Sequence, residues 1–202
     1  MKSIIKDSLI LCVITLVAGL LLGFVYDITK EPIAKEQARA KKEACKEVFA
    51  NASDFVVPTT SIDTAKIIKD AGYTASVSEV LVAVDDNKNV LGYVMTAVSS
   101  GYGGDIEFTV GIQKDGTVNG ISILTISETP GLGMKAKDSK FYGQYANKKV
   151  PAFTYVKGDA TATHEISAIS GATITTNAMT QGVNSALAVY AYLEANGGVS
   201  IE

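Results

Sequence analysis

Apolar and polar positions change their spacing several times along the chain. Residues Leu9 to Tyr26 read LILCVITLVAGLLLGFVY, without one charge. At a rise of about 1.5 Å per residue, such a run nearly spans a hydrocarbon core roughly 30 Å thick. No small-residue cleavage site follows, and the chain continues Asp27-Ile28-Thr29-Lys30. The run therefore reads as an uncleaved anchor rather than a signal peptide or a buried core helix. Thr29-Lys30-Glu31-Pro32 has the marks of a helix start, with proline in the first turn. It predicts a helix from Pro32 to about Ala50, either separate or continuing the first after a kink. Its charged face holds Lys35, Glu36, Arg39, Lys41, Lys42 and Glu43. Its apolar positions are Ala34, Ala38, Cys45, Val48 and Phe49, which makes Cys45 a packed thiol rather than a reactive one.

Strand character follows. Glu79 to Val84 alternates and ends at the turn cluster Asp85-Asp86-Asn87-Lys88-Asn89. Val90 to Ser99 and Ile106 to Ile112 continue it. The turn Lys114-Asp115-Gly116 leads into Val118 to Ile126. Connections this short imply antiparallel neighbours. A last helix is expected from about Thr176 to Ala195, closed by Gly197-Gly198. The fold class predicted is α+β: an antiparallel sheet with packed helices, preceded by one N-terminal transmembrane helix. The expected division is an anchor over residues 1–28 and one extracytoplasmic domain over 29–202.

Charge and composition narrow the function. The 202-residue chain is 47% hydrophobic with a formal net charge of -3, so nothing points to nucleic acid. Cys12 and Cys45 have no neighbours at metal-ligand spacing, and no metal site is expected. The single histidine, His164, lies among polar residues and receives no role. Lys2 and Lys6 precede the anchor, while Lys30, Lys35, Arg39, Lys41 and Lys42 follow it. A long downstream domain can cross despite such charge, so the orientation expected is N-terminus cytoplasmic, domain outside.

Three segments exceed what a plain scaffold needs. Ser170-Gly171-Ala172-Thr173 stands directly before the last helix. Thr173 offers a hydroxyl beside small residues, and the helix start offers N–H groups and a positive dipole end to a phosphate. Read alone, the segment is a helix cap made by Ser170, Thr173 or Thr175. Glu128-Thr129-Pro130-Gly131-Leu132-Gly133 joins a rigid proline to two glycines, which lets backbone approach a flat ligand; read alone, it is a tight turn. Gly101-Tyr102-Gly103-Gly104 separates two strands, and its plain reading is a glycine bulge or hairpin loop.

In this order and behind an anchor, GYGG, ETPGLG and SGAT resemble the FMN-binding domain family. Its members include the G subunit of the Rnf ferredoxin:NAD oxidoreductase and the C subunit of the sodium-translocating NADH:quinone oxidoreductase. The compact length and the three motifs are more similar to the Rnf protein. The resemblance covers essentially the whole chain. It implies FMN joined by a phosphoester to Thr173, with Ser170, Gly171 and Ala172 completing the attachment motif. It implies that Thr129, Leu132 and Gly133 line the flavin ring, then Tyr102 and Gly103, with Glu128 and Lys135 orienting polar atoms. Ser167 stands where the family motif usually has aspartate, three residues before the block.

The resemblance also implies partners. A separate flavin transferase would form the ester, so no catalytic residue is expected in this chain. The other membrane subunits of the complex, including a second flavinylated one, would exchange electrons with it in the cytoplasmic membrane. Two further classes fit less of the chain. An independent extracytoplasmic flavin reductase would need a convergent acid–base or cationic cluster. A pilin-like anchored protein would leave the three glycine-rich segments without a purpose.

Overall fold

In the computed structural model, which describes residues 2–199, helix α1 runs Lys2–Val48 without interruption. Pro32 lies inside it and does not begin a second helix. The reason is visible at Thr29. Its Oγ1 donates back to the carbonyl oxygens of Val25 (2.9 Å) and Tyr26 (3.3 Å), which holds the residue in the helix rather than at a cap. Part of α1 is long and apolar enough to cross a membrane, with a mean hydropathy of 2.7 over an 18-residue stretch that is wholly exposed. The chain divides into two compact units, Met1–Lys42 and Glu43–Glu202.

The second unit is built on a six-stranded antiparallel sheet. Its strands follow chain order: β1 (Asp54–Val56), β2 (Ser76–Val84), β3 (Val90–Ser100), β4 (Asp105–Gln113), β5 (Thr117–Thr125) and β6 (Lys148–Lys149). The β2–β3 turn is fixed by Asp85, whose Oδ1 accepts from Asn87 N and Asn89 N, each at 2.8 Å. The Asn89 side-chain amide and these backbone bonds hold the Asp85 carboxyl below its ordinary pKa. Strand β2 begins three residues before its expected start because a register shift between Val77 and Glu79 interrupts the alternation.

Alternate residues serve two cores. Val82, Val84, Tyr93 and Met95 join one apolar cluster, while Ala83 and Val94 join another with Cys45, Val48 and Phe49 from the end of α1. Both faces of the central strands are therefore covered, which explains their near-continuous apolar sequence. The first cluster is capped by α4 (Thr173–Ala195), the helix that carries the candidate site. Gly182 of α4 lets the helix approach the Phe108 ring closely, since a Cβ there would overlap it. The short helix α2 (Thr64–Asp70) packs beside α4 and buries Ile68; Asp63 caps it by accepting from Lys66 N at 3.1 Å. Neither α2 nor β1 is legible in the sequence pattern.

Between β5 and α4 the chain forms short turns, helix α3 (Ser139–Tyr142) and the parallel pair β7 (Thr154–Val156) and β8 (Glu165–Ser167). Side chains fasten this segment. Phe141, Tyr145 and Phe153 stack edge to face, with centroids 6.0 and 5.1 Å apart. The fully buried Tyr145 hydroxyl shares a 2.9 Å hydrogen bond with Thr180 of α4, and burial pushes its pKa up. Asn184 of α4 accepts from Phe153 N at 2.7 Å and donates to Phe153 O at 2.9 Å.

Asn184→Ala leaves both Phe153 backbone groups unpaired in a buried place. The expected cost is about 1–3 kcal/mol for each group, a large share of a stability of roughly 5–15 kcal/mol. Tyr190→Phe removes only an exposed bond to Lys114 O and should cost under about 1 kcal/mol. Denaturant unfolding of the detergent-solubilised chain compares them. Equal losses would show that Asn184 does not hold this segment.

Candidate functional site

The site is a cavity of about 530 Å³ where three separate segments meet. The β3–β4 loop contributes Tyr102. The segment after β5 contributes Glu128, Thr129, Leu132 and Gly133. The start of α4 contributes Gly171 to Thr175. The volume falls in the usual range for small-ligand sites, roughly 300–1,000 Å³.

Glu128 joins the three. It is 6% exposed. Its Oε1 accepts from Tyr102 N (2.7 Å) and Gly103 N (3.2 Å), and its Oε2 accepts from Thr175 Oγ1 (3.0 Å). Backbone closes around this carboxylate because small residues allow it. A Cβ on Gly101 would overlap Oε1, and a Cβ on Gly133 would lie 2.5 Å from Oε2 and 2.6 Å from Thr175 Oγ1. The 129–134 loop is tightened by Thr129 O, which accepts from Leu132 N and Met134 N, each at 3.2 Å.

The helix start differs from the expectation. Helix α4 begins at Thr173, not Thr176, with Ala172 as the residue before it. No side chain caps it, so Ser170, Thr173 and Thr175 are not caps. Thr175 is turned to Glu128, and Thr176 Oγ1 donates to Ala172 O and accepts from Ile169 N at 3.0 Å. Thr176 N is the first α4 amide bonded within the chain, to Ala172 O. The N–H groups of Thr173, Ile174 and Thr175 thus face the cavity end of the helix without acceptors among the described residues. Thr173 itself is exposed. Gly171 precedes it at φ +77, a left-handed conformation that suits glycine, and stands against Leu132.

Of the residues singled out in the sequence, Tyr102, Glu128, Thr129, Leu132, Gly133, Gly171, Ala172 and Thr173 line the cavity. Gly103 meets it only through its N–H to Glu128, and Ser170 is an exposed neighbour. Lys135 lies on the exposed side of the adjoining turn and outside the lining. Ile174 and Thr175 also line it, although the motif ends one residue earlier. Nothing in the sequence marks Thr175 for this place: it stands among Thr173, Thr176 and Asn177 and reads there only as a cap. Ser167 is half-buried in β8; its Oγ accepts from Ala160 N at 2.8 Å and its N–H donates to Gln144 Oε1 at 2.7 Å. The position is thus part of the local scaffold.

Comparison with known proteins decides the family. Residues 101–188 match the FMN-binding domain, and residues 1–48 match the RnfG N-terminal region. The G subunit of the Na(+)-translocating ferredoxin:NAD(+) oxidoreductase complex of Acetobacterium woodii is 36% identical, over 94% of this chain and 92% of its own length. The chain belongs to the G subunits of Rnf-type ion-translocating oxidoreductase complexes. The corresponding protein of the proton-translocating complex of Clostridium ljungdahlii is 35% identical, over 92% of this chain and 89% of its own length. Among solved structures, the C subunit of the Na(+)-translocating NADH-quinone reductase from Parabacteroides distasonis has the same fold. Its TM-score is 0.50, with 22% identity over 69% of this chain and 76% of that one.

The matched FMN-binding region contains every cavity-lining residue, since the lining runs from Tyr102 to Thr175. The cavity fits that group in kind: a glycine-lined slot with one apolar wall and three free amides at one end.

Gly133→Ala forces the Glu128–Thr175 bond apart and should cost about 1–3 kcal/mol through unpaired buried groups. Gly143→Ala, where an added Cβ meets nothing within 4 Å, serves as the comparison and should lose nothing. Thermal melts of the two variants test this. Equal melting temperatures would mean that the brace contributes nothing to stability.

Proposed function

We propose that this protein holds FMN covalently on Thr173 and passes electrons within an ion-translocating ferredoxin:NAD oxidoreductase complex. The observation that supports the attachment most directly is the start of α4. Thr173 presents an exposed hydroxyl engaged by no partner among the described residues, beside three amides that lack acceptors. A phosphate esterified to Oγ1 would satisfy those amides and sit at the positive end of the helix dipole.

The bound flavin supplies the redox chemistry. The chain's own residues bind and orient. Gly171 leaves the attachment point uncrowded. Leu132 gives an apolar wall, and Thr129 and Gly133 bring backbone close. Tyr102 offers a ring on the opposite segment. Glu128 holds these segments together, and Ser170 and Ala172 complete the attachment motif. Gly103 acts through Glu128. Lys135, outside the lining, is given no contact with the flavin.

Attachment would require a separate flavin transferase, since esterification is not assigned to any residue here. Partners in this reading are the other membrane subunits of the complex, among them a second flavinylated one. The relatives include subunits of both sodium- and proton-translocating complexes at almost equal identity. The domain over residues 29–202 is assigned to the outside of the cytoplasmic membrane, with α1 anchoring it and its N-terminus inside. A covalent link suits that side, where a lost flavin would not be replaced.

Coexpression with a flavin transferase, followed by intact mass and peptide mapping, tests the attachment. One FMN should survive denaturation on the peptide containing Thr173. Thr173→Ala should abolish it while the fold persists, because Thr173 makes no capping bond to lose. Thr173→Ser keeps the oxygen and should retain part of it. Covalent flavin persisting in the alanine variant would remove Thr173 from the assignment.

Topology is tested by reporters fused after the C-terminus. Alkaline phosphatase should be active there and a cytoplasmic fluorescent reporter dark. The reverse pattern would place the domain inside.

A further inference from the structure

The carboxylate of Glu128 does more than brace. It is the one charged side chain in the cavity lining, it is 6% exposed, and no lysine or arginine pairs with it among the described residues. Its three partners are neutral donors: the N–H groups of Tyr102 and Gly103 and the hydroxyl of Thr175. Glycines at 101 and 133 bring backbone against both of its oxygens. We infer that Glu128 is a fixed negative charge that lowers the reduction potential of the flavin held in this cavity.

The physical step is short. Reduction adds electrons to the ring, and a nearby unpaired negative charge disfavours added negative charge. The effect is strong where the surroundings are poorly hydrated. Hydrogen-bond donors moderate it, because they draw part of the charge toward themselves without neutralising it. A low potential suits a carrier that must hand electrons onward rather than keep them. Structure and tuning can be separated by chemistry at one residue. In Glu128→Gln, the amide oxygen can still accept from Tyr102 and Gly103, and the amide nitrogen can donate to Thr175 Oγ1, which accepts as readily as it donates. The brace is retained and the charge is gone.

This inference rests on the flavin reading, and the experiment keeps the two apart. The full-length chain is made beside a flavin transferase, solubilised in detergent, and titrated with dithionite and ferricyanide in the presence of mediator dyes. Flavin absorbance reports the midpoint potential, and the mass spectrum reports flavin content. Glu128→Gln should keep its flavin and shift the midpoint to more positive values. Thr175→Val removes one donor but keeps the carboxylate, so its midpoint should fall below wild type. A Gln variant that holds flavin at an unchanged or lower potential would overturn the inference and leave the flavin reading intact. So would a rise in Thr175→Val like that of Glu128→Gln, because the cause would then be altered geometry. If Glu128→Gln does not fold, Thr175→Val decides: a lower midpoint supports the inference and an equal or higher one overturns it. A wild-type chain without flavin removes both readings.

Discussion

One buried carboxylate connects the parts of this site that are far apart in sequence. Glu128 takes two amides from the β3–β4 loop and a hydroxyl from the first turn of α4, while lying at the start of the segment after β5. Burying an acid costs free energy unless its lone pairs are met. The chain meets them by folding three loops onto one side chain. That requirement determines the loops' composition. Glycines at 101, 103 and 133 are placed where a Cβ would strike Glu128, its neighbour Ser127 or Thr175. The motifs that carry the family resemblance are therefore in part the consequence of a single packing problem.

The same logic explains what can be read in advance. Runs of nine to eleven residues bounded by turn signals locate β3, β4 and β5 almost to the residue, since β3 packs into two cores and β4 and β5 send alternate apolar side chains into one. The long apolar helix is legible because an uncharged run of that length has few other uses. Its continuation through Pro32 is legible only as an alternative, because proline and Thr29 mark a helix start locally and the back-bonds from Thr29 are a matter of conformation. Three residues of β2 escape the pattern because a bulge breaks the alternation. Strands β1, β7 and β8 have three residues each and no period to detect.

The candidate residues show a parallel split. Residues of the three glycine-rich motifs come together, because each motif turns the chain where a strand or helix ends. Their convergence follows from resemblance, not from spacing, since Tyr102 and Thr173 are separated by the whole of β4, β5 and the β7–β8 pair. Lys135 stands out in sequence for its charge near a motif, and the chain places it on the exposed side of a turn, outside the lining. Thr175 reads in sequence only as a cap. Its hydroxyl is instead directed to Glu128, which leaves the helix start open.

An uncapped helix start is a cost that most proteins avoid, as a capping side chain contributes roughly 0.5–2 kcal/mol. Three threonines lie within the first four residues of α4, and any of them has the chemistry to cap. Thr175 and Thr176 are committed to other bonds, and Thr173 is exposed without one. A helix that merely needed stability would have an Asp, Ser or Asn at the position of Ala172. Such a side chain would occupy the amides that a phosphate requires. The small, capless residue at 172 keeps them available, and the cavity beside them opens to solvent through Tyr102, Leu132 and Ile174, all of them exposed apolar side chains. In the proposed reading, the stability absent at this terminus is supplied when the phosphate is attached. The flavin-free chain should then be the less stable form, and the prosthetic group part of what completes the fold.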